Sequence, residues 1–282
     1  MMGREILVLI LPALLLSGCI QPSESGSSGL IIDVFESDEQ IVLSGEDIQL
    51  QLKITNTGSV PGRIRSVQML NINPDEWHVR QGSCSSLAES VIAPGSFRSC
   101  SITYRAPAVP EGLATVYKPV IRVEYTYYST AARSINIAPA SEMRRIKAVE
   151  SLQSSSTSTS GPVALSVEAK NPLSISNGQV SFPIKVSVDN TGGGTVCRTS
   201  CYDKSSWQQV SVYLRLDSTM RSDCGTTLEL DLTKGRNNQF VCLLTTTASE
   251  NLVERVIEVR ADYNYLVEKG LVVKISNRKF ES

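Results

Sequence analysis

The sequence predicts an all-β protein built as two tandem β-sandwiches, and three observations carry that expectation. Apolar residues alternate with polar ones over short runs bounded by Gly, Pro and Asn, the period of strands with one buried face. The same succession of features occurs twice along the chain. Between the two occurrences lies Ser151 to Gly161 (SLQSSSTSTSG), a low-complexity stretch that reads as a linker. With 282 residues, 41% apolar and 20% charged, the chain suits two domains of ordinary size that bury proper cores.

The first element is not a strand. Met1-Met2-Gly3-Arg4 is a short, positively tipped start, and Ile6 to Leu16 (ILVLILPALLL) is an apolar run interrupted by one proline. Spanning a bilayer takes about 20 such residues, so this run has the length of a signal-peptide core. Directly after it stands Leu16-Ser17-Gly18-Cys19, which resembles the lipobox of bacterial and archaeal lipoproteins. Small residues at Ser17 and Gly18 let the backbone enter a peptidase, and the Cys19 thiol takes a lipid. The resemblance implies that residues 1–18 are a cleaved signal peptide and that Cys19 anchors the chain extracytoplasmically to the cell membrane. The competing reading is an uncleaved anchor with an incidental thiol. Residues 19–29, with Gln21-Pro22-Ser23-Glu24-Ser25-Gly26 at their centre, form a flexible polar tether.

Cysteine usage agrees with export. Of seven cysteines, removing Cys19 leaves an even set: Cys84, Cys100, Cys197, Cys201, Cys224 and Cys242. An even set in an exported chain reads as three disulfides, although many pairings are formally possible. Cys84/Cys100 and Cys224/Cys242 occupy the same place in each repeat, so duplication predicts that each repeat bonds within itself. Cys197 and Cys201 have no counterpart in the first half and bond most simply to each other. A four-thiolate zinc site from Cys197, Cys201, Cys224 and Cys242 is the rival; an oxidising compartment favours disulfides.

The first sandwich, residues 30–140, contains a strand of strict period two, Ile48 to Thr55, closed by Asn56-Thr57-Gly58. The second, residues 162–282, contains Phe182 to Asp189, closed by Asn190-Thr191-Gly192. Asn and Gly suit such a turn because both tolerate positive φ. Pro183 cannot donate to a ladder and belongs at an edge or at the strand's start. Later in each repeat an alternating strand ends in Tyr-x-Tyr, at Tyr125 and Tyr127 and at Tyr263 and Tyr265. Each is expected to turn there and run back through Ser134–Ile137 or Leu271–Ile275, closing a hairpin. Residues 141–161 read as a short helix, with Ser141 as N-cap and Met143, Ile146, Val149 and Leu152 every three residues, followed by the linker. The linker should be the site of limited proteolysis, releasing two fragments that unfold independently.

Short alternating strands, twice repeated, indicate sandwiches of immunoglobulin type. The segment LSGEDIQLQLKITNTGSVPGRI resembles CARDB-type immunoglobulin-like repeats of prokaryotic surface proteins. The segment NPDEWHV…IAPGSFRSCSITYRAP…PEGL is similar to the NPCBM-associated immunoglobulin-like family. Both resemblances imply a fold and a cell-surface setting rather than a mechanism. The second half departs from the pattern at a Cys-rich insertion, GGGTVCRTSCYDKSSW.

No catalytic set accompanies this frame. The one histidine, His78, follows Trp77 and reads as a turn residue beside a core tryptophan; no Gly-x-Ser-x-Gly elbow exists. Strand carboxylates Glu124, Glu229, Asp231, Glu258 and Asp262 read as a solvated face. Trp77 and Trp207 read as core rather than as a sugar platform. The formal charge is −1 with signs interspersed, which argues against nucleic-acid binding. Clusters at Arg63–Arg65, Arg144–Lys147 and Arg278–Lys279 read as solvated faces. The expectation is therefore a non-enzymatic, lipid-anchored binding or scaffolding arm with no cofactor or metal. Its partners are the membrane through Cys19 and a protein or glycan at the surface. The alternatives are a structural subunit of a surface layer or filament, or an accessory module of an extracellular hydrolase complex.

Overall fold

A computed structural model of the chain describes residues 29–146, 152–175, 178–233, 238–247 and 251–277. The signal peptide, Cys19, all of the tether but Gly29, and the Arg278–Lys279 pair lie outside the described residues. The first repeat supplies β1 (Leu30–Ser37), β2 (Ile41–Leu43), β3 (Asp47–Asn56), β4 (Gly62–Leu70) and β5 (His78–Gly82). It continues with β6 (Val91–Ile92), β7 (Phe97–Arg105), β8 (Ala114–Tyr117) and the 20-residue β9 (Val120–Pro139). Helix α1 (Ala140–Arg145) and β10 (Ser156–Ser158) follow. The second repeat supplies β11 (Val163–Ala169), β12 (Leu173–Ile175), β13 (Gln179–Asn190), β14 (Thr195–Cys197) and β15 (Gln209–Arg215). It ends with β16 (Met220–Ser222), β17 (Thr227–Asp231), β18 (Gln239–Thr247), the 18-residue β19 (Val253–Gly270) and β20 (Val273–Ser276).

The fold is all-β and sandwich-like, but the two repeats are not separate bodies. One central sheet, in the order β17-β15-β19-β9-β4-β6, crosses the whole molecule. Two four-stranded sheets, β1-β3-β7-β5 and β11-β13-β18-β16, pack over it. Odd-numbered residues of β9 and β19, from Ile121 to Ile137 except the half-buried Arg133 and from Ile257 to Tyr265, are buried against those sheets, and a single apolar cluster runs through both repeats. Even-numbered residues face the other way.

The expected closing hairpins are absent, which changes the architecture. β9 does not turn after Tyr128; it runs on and pairs antiparallel with β19 from Val120↔Gly270 to Ile137↔Val253. Its far end pairs with β12 of the second half and with β10 of the linker. Conversely, β20 lies between β2 and β8 of the first half. Each repeat thus receives its last strand from the other. The linker carries a strand as well: among the described residues, Ser156–Ser158 pairs with Ala131–Arg133, so this part of the linker is not a free connection between independent domains.

Smaller corrections follow the same logic. Helix α1 begins at Ala140 with Pro139 as its cap, placing Ser141 inside it, and ends at Arg145; residues 147–151 lie outside the described set. Pro183 sits in an inner strand, but the ladder of β11 ends at Ala169↔Ile184, so Pro183 meets a locally free flank. His78 stands in β5 opposite Arg105 rather than in a turn, while Trp77 is buried, edge-on to Tyr104 and Tyr117.

At the centre stand four tyrosines. Tyr127 pairs with Tyr263 and Tyr125 with Tyr265 across β9 and β19, so a pseudo-twofold axis passes through the Thr126↔Asn264 pair. Each Asn-Thr-Gly turn is built onto this cluster. Asn56 Nδ2 donates to Val60 O at 2.8 Å, and Val60 N donates to the Tyr127 hydroxyl at 3.3 Å. Likewise Asn190 Nδ2 donates to Gly194 O at 3.2 Å, and Gly194 N to the Tyr265 hydroxyl at 3.0 Å. A Cβ at Gly58 would overlap the Tyr127 hydroxyl, and one at Gly192 the Tyr265 hydroxyl. These glycines answer a close approach rather than a left-handed backbone, since neither is among the positive-φ residues.

Burial raises the pKa of all four phenols, with Tyr265 pushed up to about 12. Unfolded tyrosines lose protons near the ordinary value of 10.0, whereas the folded ones hold theirs. Their contribution is therefore complete below that pH and is lost as pH rises through the folded values. The melting temperature should hold from about pH 7 to 9.5 and fall steeply between about 10 and 11. A level profile to about pH 11 would contradict the buried quartet.

Candidate binding cleft on the central sheet

Three disulfides are present: Cys84–Cys100, Cys197–Cys201 and Cys224–Cys242. The first and third each tie a connection to an outer-sheet strand, β7 or β18. They place the chain in an oxidising, extracytoplasmic setting. Among the described residues, the one cluster of metal-ligand side chains is Asp223, Cys224 and Cys242, and its two sulfurs are bonded to each other. Bonded sulfurs offer no thiolate to a metal.

The second-half insertion forms a strap across the even-numbered face of the central sheet. Cys197, Cys201 and Leu266, with Trp207 against them, make a small separate core there. Trp207 Nε1 donates to Cys201 O at 2.8 Å. The strap then reaches into the first repeat: Cys201 N donates to Glu124 Oε1 at 3.0 Å, and the Tyr202 and Ser66 hydroxyls lie 2.8 Å apart. Glu124, expected on a solvated face, is consequently buried at 4% exposure. The backbone N–H is what makes that position tolerable for a carboxylate.

Pseudo-symmetry explains the cleft beside the strap. Under the twofold, Arg122, Glu124 and Leu266 correspond to Arg260, Asp262 and Tyr128. The first repeat has no insertion between Val60 and β4, so this second set stays uncovered. The resulting cleft, about 750 Å³, is lined by Tyr128, Arg260, Asp262, Asn264, Tyr213 and Arg198, with Arg63 and Glu229 at its margins.

Sheet register orders these side chains. Asp262 stands opposite Tyr128 on one side and Ser211 on the other; Arg260 stands opposite Thr130 and Tyr213. The Arg260 guanidinium lies 4.2 Å from the Tyr128 ring centroid and 2.6 Å from Asp262. Hydrogen bonding to Asp262 raises the Arg260 pKa. From the strap, Arg198 pairs with Glu229, and Thr199 O accepts from Asn264 Nδ2. Arg63 and Arg65, expected on a solvated face, are exposed and share Glu89 at 3.4 and 3.2 Å. A second hollow of about 320 Å³ shares Tyr213 and Asp262 with the first, so the Tyr213 ring stands between two depressions.

No protein-family model matches the chain, and no curated protein matches it. Among solved structures it is similar to the secreted serine protease VesC from Vibrio cholerae, at 9% identity and a TM-score of 0.22. That match covers 90% of this chain and 52% of the protease, so the chain spans about half of the neighbour's length. It is also similar to the Enterococcus faecalis MSCRAMM ACE, at 8% identity and a TM-score of 0.15, covering 88% and 95%. Likenesses this slight carry no argument about activity.

Proposed function

We propose that the protein is a non-enzymatic binding arm, held at the cell surface by a lipid on Cys19, whose working surface is the central-sheet cleft. The observation that carries this reading is the placement of the cleft relative to the chain's entry. Gly29 enters beside Tyr125 and Pro162, on the tyrosine side of the central sheet, while the cleft opens on the opposite side. From Cys19 to Gly29 the tether extends at most about 35 Å, and it joins the body on the side away from the cleft. The cleft's chemistry also favours binding over turnover. Its carboxylates are engaged by arginines, and His78 stands on the exposed strand β5, outside the cleft lining.

Expressed in its own host, the mature chain should begin at Cys19, carry lipid mass and partition into detergent. Cys19→Ser should move it to the aqueous phase or leave the precursor uncut. An intact Met1 terminus without lipid on the wild-type chain would contradict the anchor.

A further inference from the structure

We propose that the cleft takes a neutral carbohydrate chain; the proposal rests on the binding-arm reading and names its ligand class. Charge is the first consideration. Arg260 is engaged by Asp262, Arg198 by Glu229 and Arg63 by Glu89. Guanidinium groups already holding carboxylates make a poor receptor for a further anion. Their remaining N–H groups and the free lone pairs of the carboxylates are nevertheless held at fixed angles, donors beside acceptors. Adjacent sugar hydroxyls, each able to donate and accept, match such an array. Ser211, Thr126 and Asn264 extend it along the sheet.

The second consideration is the aromatic surface. Tyr213 projects from the outward face of β15, is 37% exposed and has no strap over it. A phenol ring presents an apolar, electron-rich face, and the C–H face of a pyranose is its natural complement. Because Tyr213 divides two hollows, a ligand stacked on it extends into both, which favours a chain over a single sugar.

The third consideration excludes the commonest peptide mode. β9, β19 and β15, which floor the cleft, are each paired on both sides, so none of these three strands offers a main-chain edge to an added strand. The apolar lining is limited to Pro61 and Val91 besides the tyrosines, which leaves no deep hole for a side-chain anchor. The disulfide ring contributes Arg198 and Thr199 as one rigid wall, held by Glu124 beneath and Asn264 beside. A wall fixed before binding loses little entropy on binding, and its position decides which sugars fit.

The test probes full-length protein in detergent with arrayed neutral oligosaccharides, linear hexose and N-acetylhexosamine chains, beside acidic and sulfated ones. Intact envelopes of the host serve as a second probe. Expected is binding to a neutral chain that tightens with its length. Tyr213→Ala should weaken it about tenfold, Tyr213→Phe should retain it, and neither should shift the melting temperature. Cys197→Ser combined with Cys201→Ser should also weaken it about tenfold; undiminished binding would remove the ring from the site. Binding confined to acidic chains would overturn the proposal. If no oligosaccharide binds but envelopes retain the protein in a Tyr213-dependent way, the carbohydrate class is wrong and the binding arm stands. If envelopes retain nothing either, both readings fail.

Discussion

Expressed apart, residues 29–146 and 152–277 are each expected to fail to fold, while the full chain unfolds in one cooperative transition. Each half lacks a strand that the other supplies. The first loses β20, the partner of both β2 and β8; the second loses the far end of β9, the partner of β10, β12 and β19. Separation also strips the longest ladder in the molecule, that between β9 and β19, and leaves two bare edges. It opens the tyrosine quartet as well. Burying one large side chain contributes about 1.5–3 kcal/mol, so four of them rival the ~5–15 kcal/mol that holds a typical domain together. Heteronuclear NMR or circular dichroism of each half, and calorimetry of the whole, check this. A well-dispersed spectrum from either half alone would contradict it. Proteolytic nicking near Ser155 should likewise leave the two pieces associated.

Tyr265→Ala should cost about 3–5 kcal/mol and lower the melting temperature by roughly 10 °C. The ring is fully buried, 5.7 Å from Tyr125 and 6.4 Å from Tyr263, so its removal leaves a cavity on the axis. Its hydroxyl donates to Asn190 Oδ1 at 2.8 Å and accepts from Gly194 N. Truncation therefore also leaves two groups of the Asn-Thr-Gly turn unpartnered. Tyr265→Phe separates the two contributions: it keeps the packing and should cost about 1–3 kcal/mol. Thermal or denaturant unfolding measures both. Equal losses for the two variants would mean that the hydroxyl, not the ring, carries the effect.

Much of this was legible in the chain. Period-two alternation identified the strands, the doubled Asn-Thr-Gly and Tyr-x-Tyr features identified the repeat, and the cysteine spacing in each half matches the bonded pairs. A local signal opposes the closing hairpin expected after Tyr127. Residues 127–134 (YYSTAARS) contain no Gly, Pro, Asn or Asp, the strongest turn formers, and their two serines turn a chain only weakly. In the second half Gly270 does interrupt the run, and β19 ends at it. Strand exchange followed from that one missing turn and has no other trace in the sequence. The cleft was harder to see. Its side chains alternate on β9 and β19 as an ordinary solvated face would, and only the one-sided insertion decides which set is covered. Glu124 and Asp262 look alike in sequence, yet a strap from a distant loop buries the first and leaves the second in the cleft.

The two repeats meet as one sheet with its axis at Thr126 and Asn264. Residues directly opposed in an antiparallel pair have Cα atoms about 4.5–5.5 Å apart, inside the range of about 4.4–6.8 Å that a disulfide spans. Combining Thr126→Cys with Asn264→Cys should therefore yield a cross-link on mild oxidation, found by unreduced peptide mapping beside the three native disulfides. Thr126→Cys paired with a cysteine at the distant Glu258 should give none. Thiols at 126 and 264 that remain free in a folded, oxidised protein would contradict the shared sheet and the cleft that stands on it.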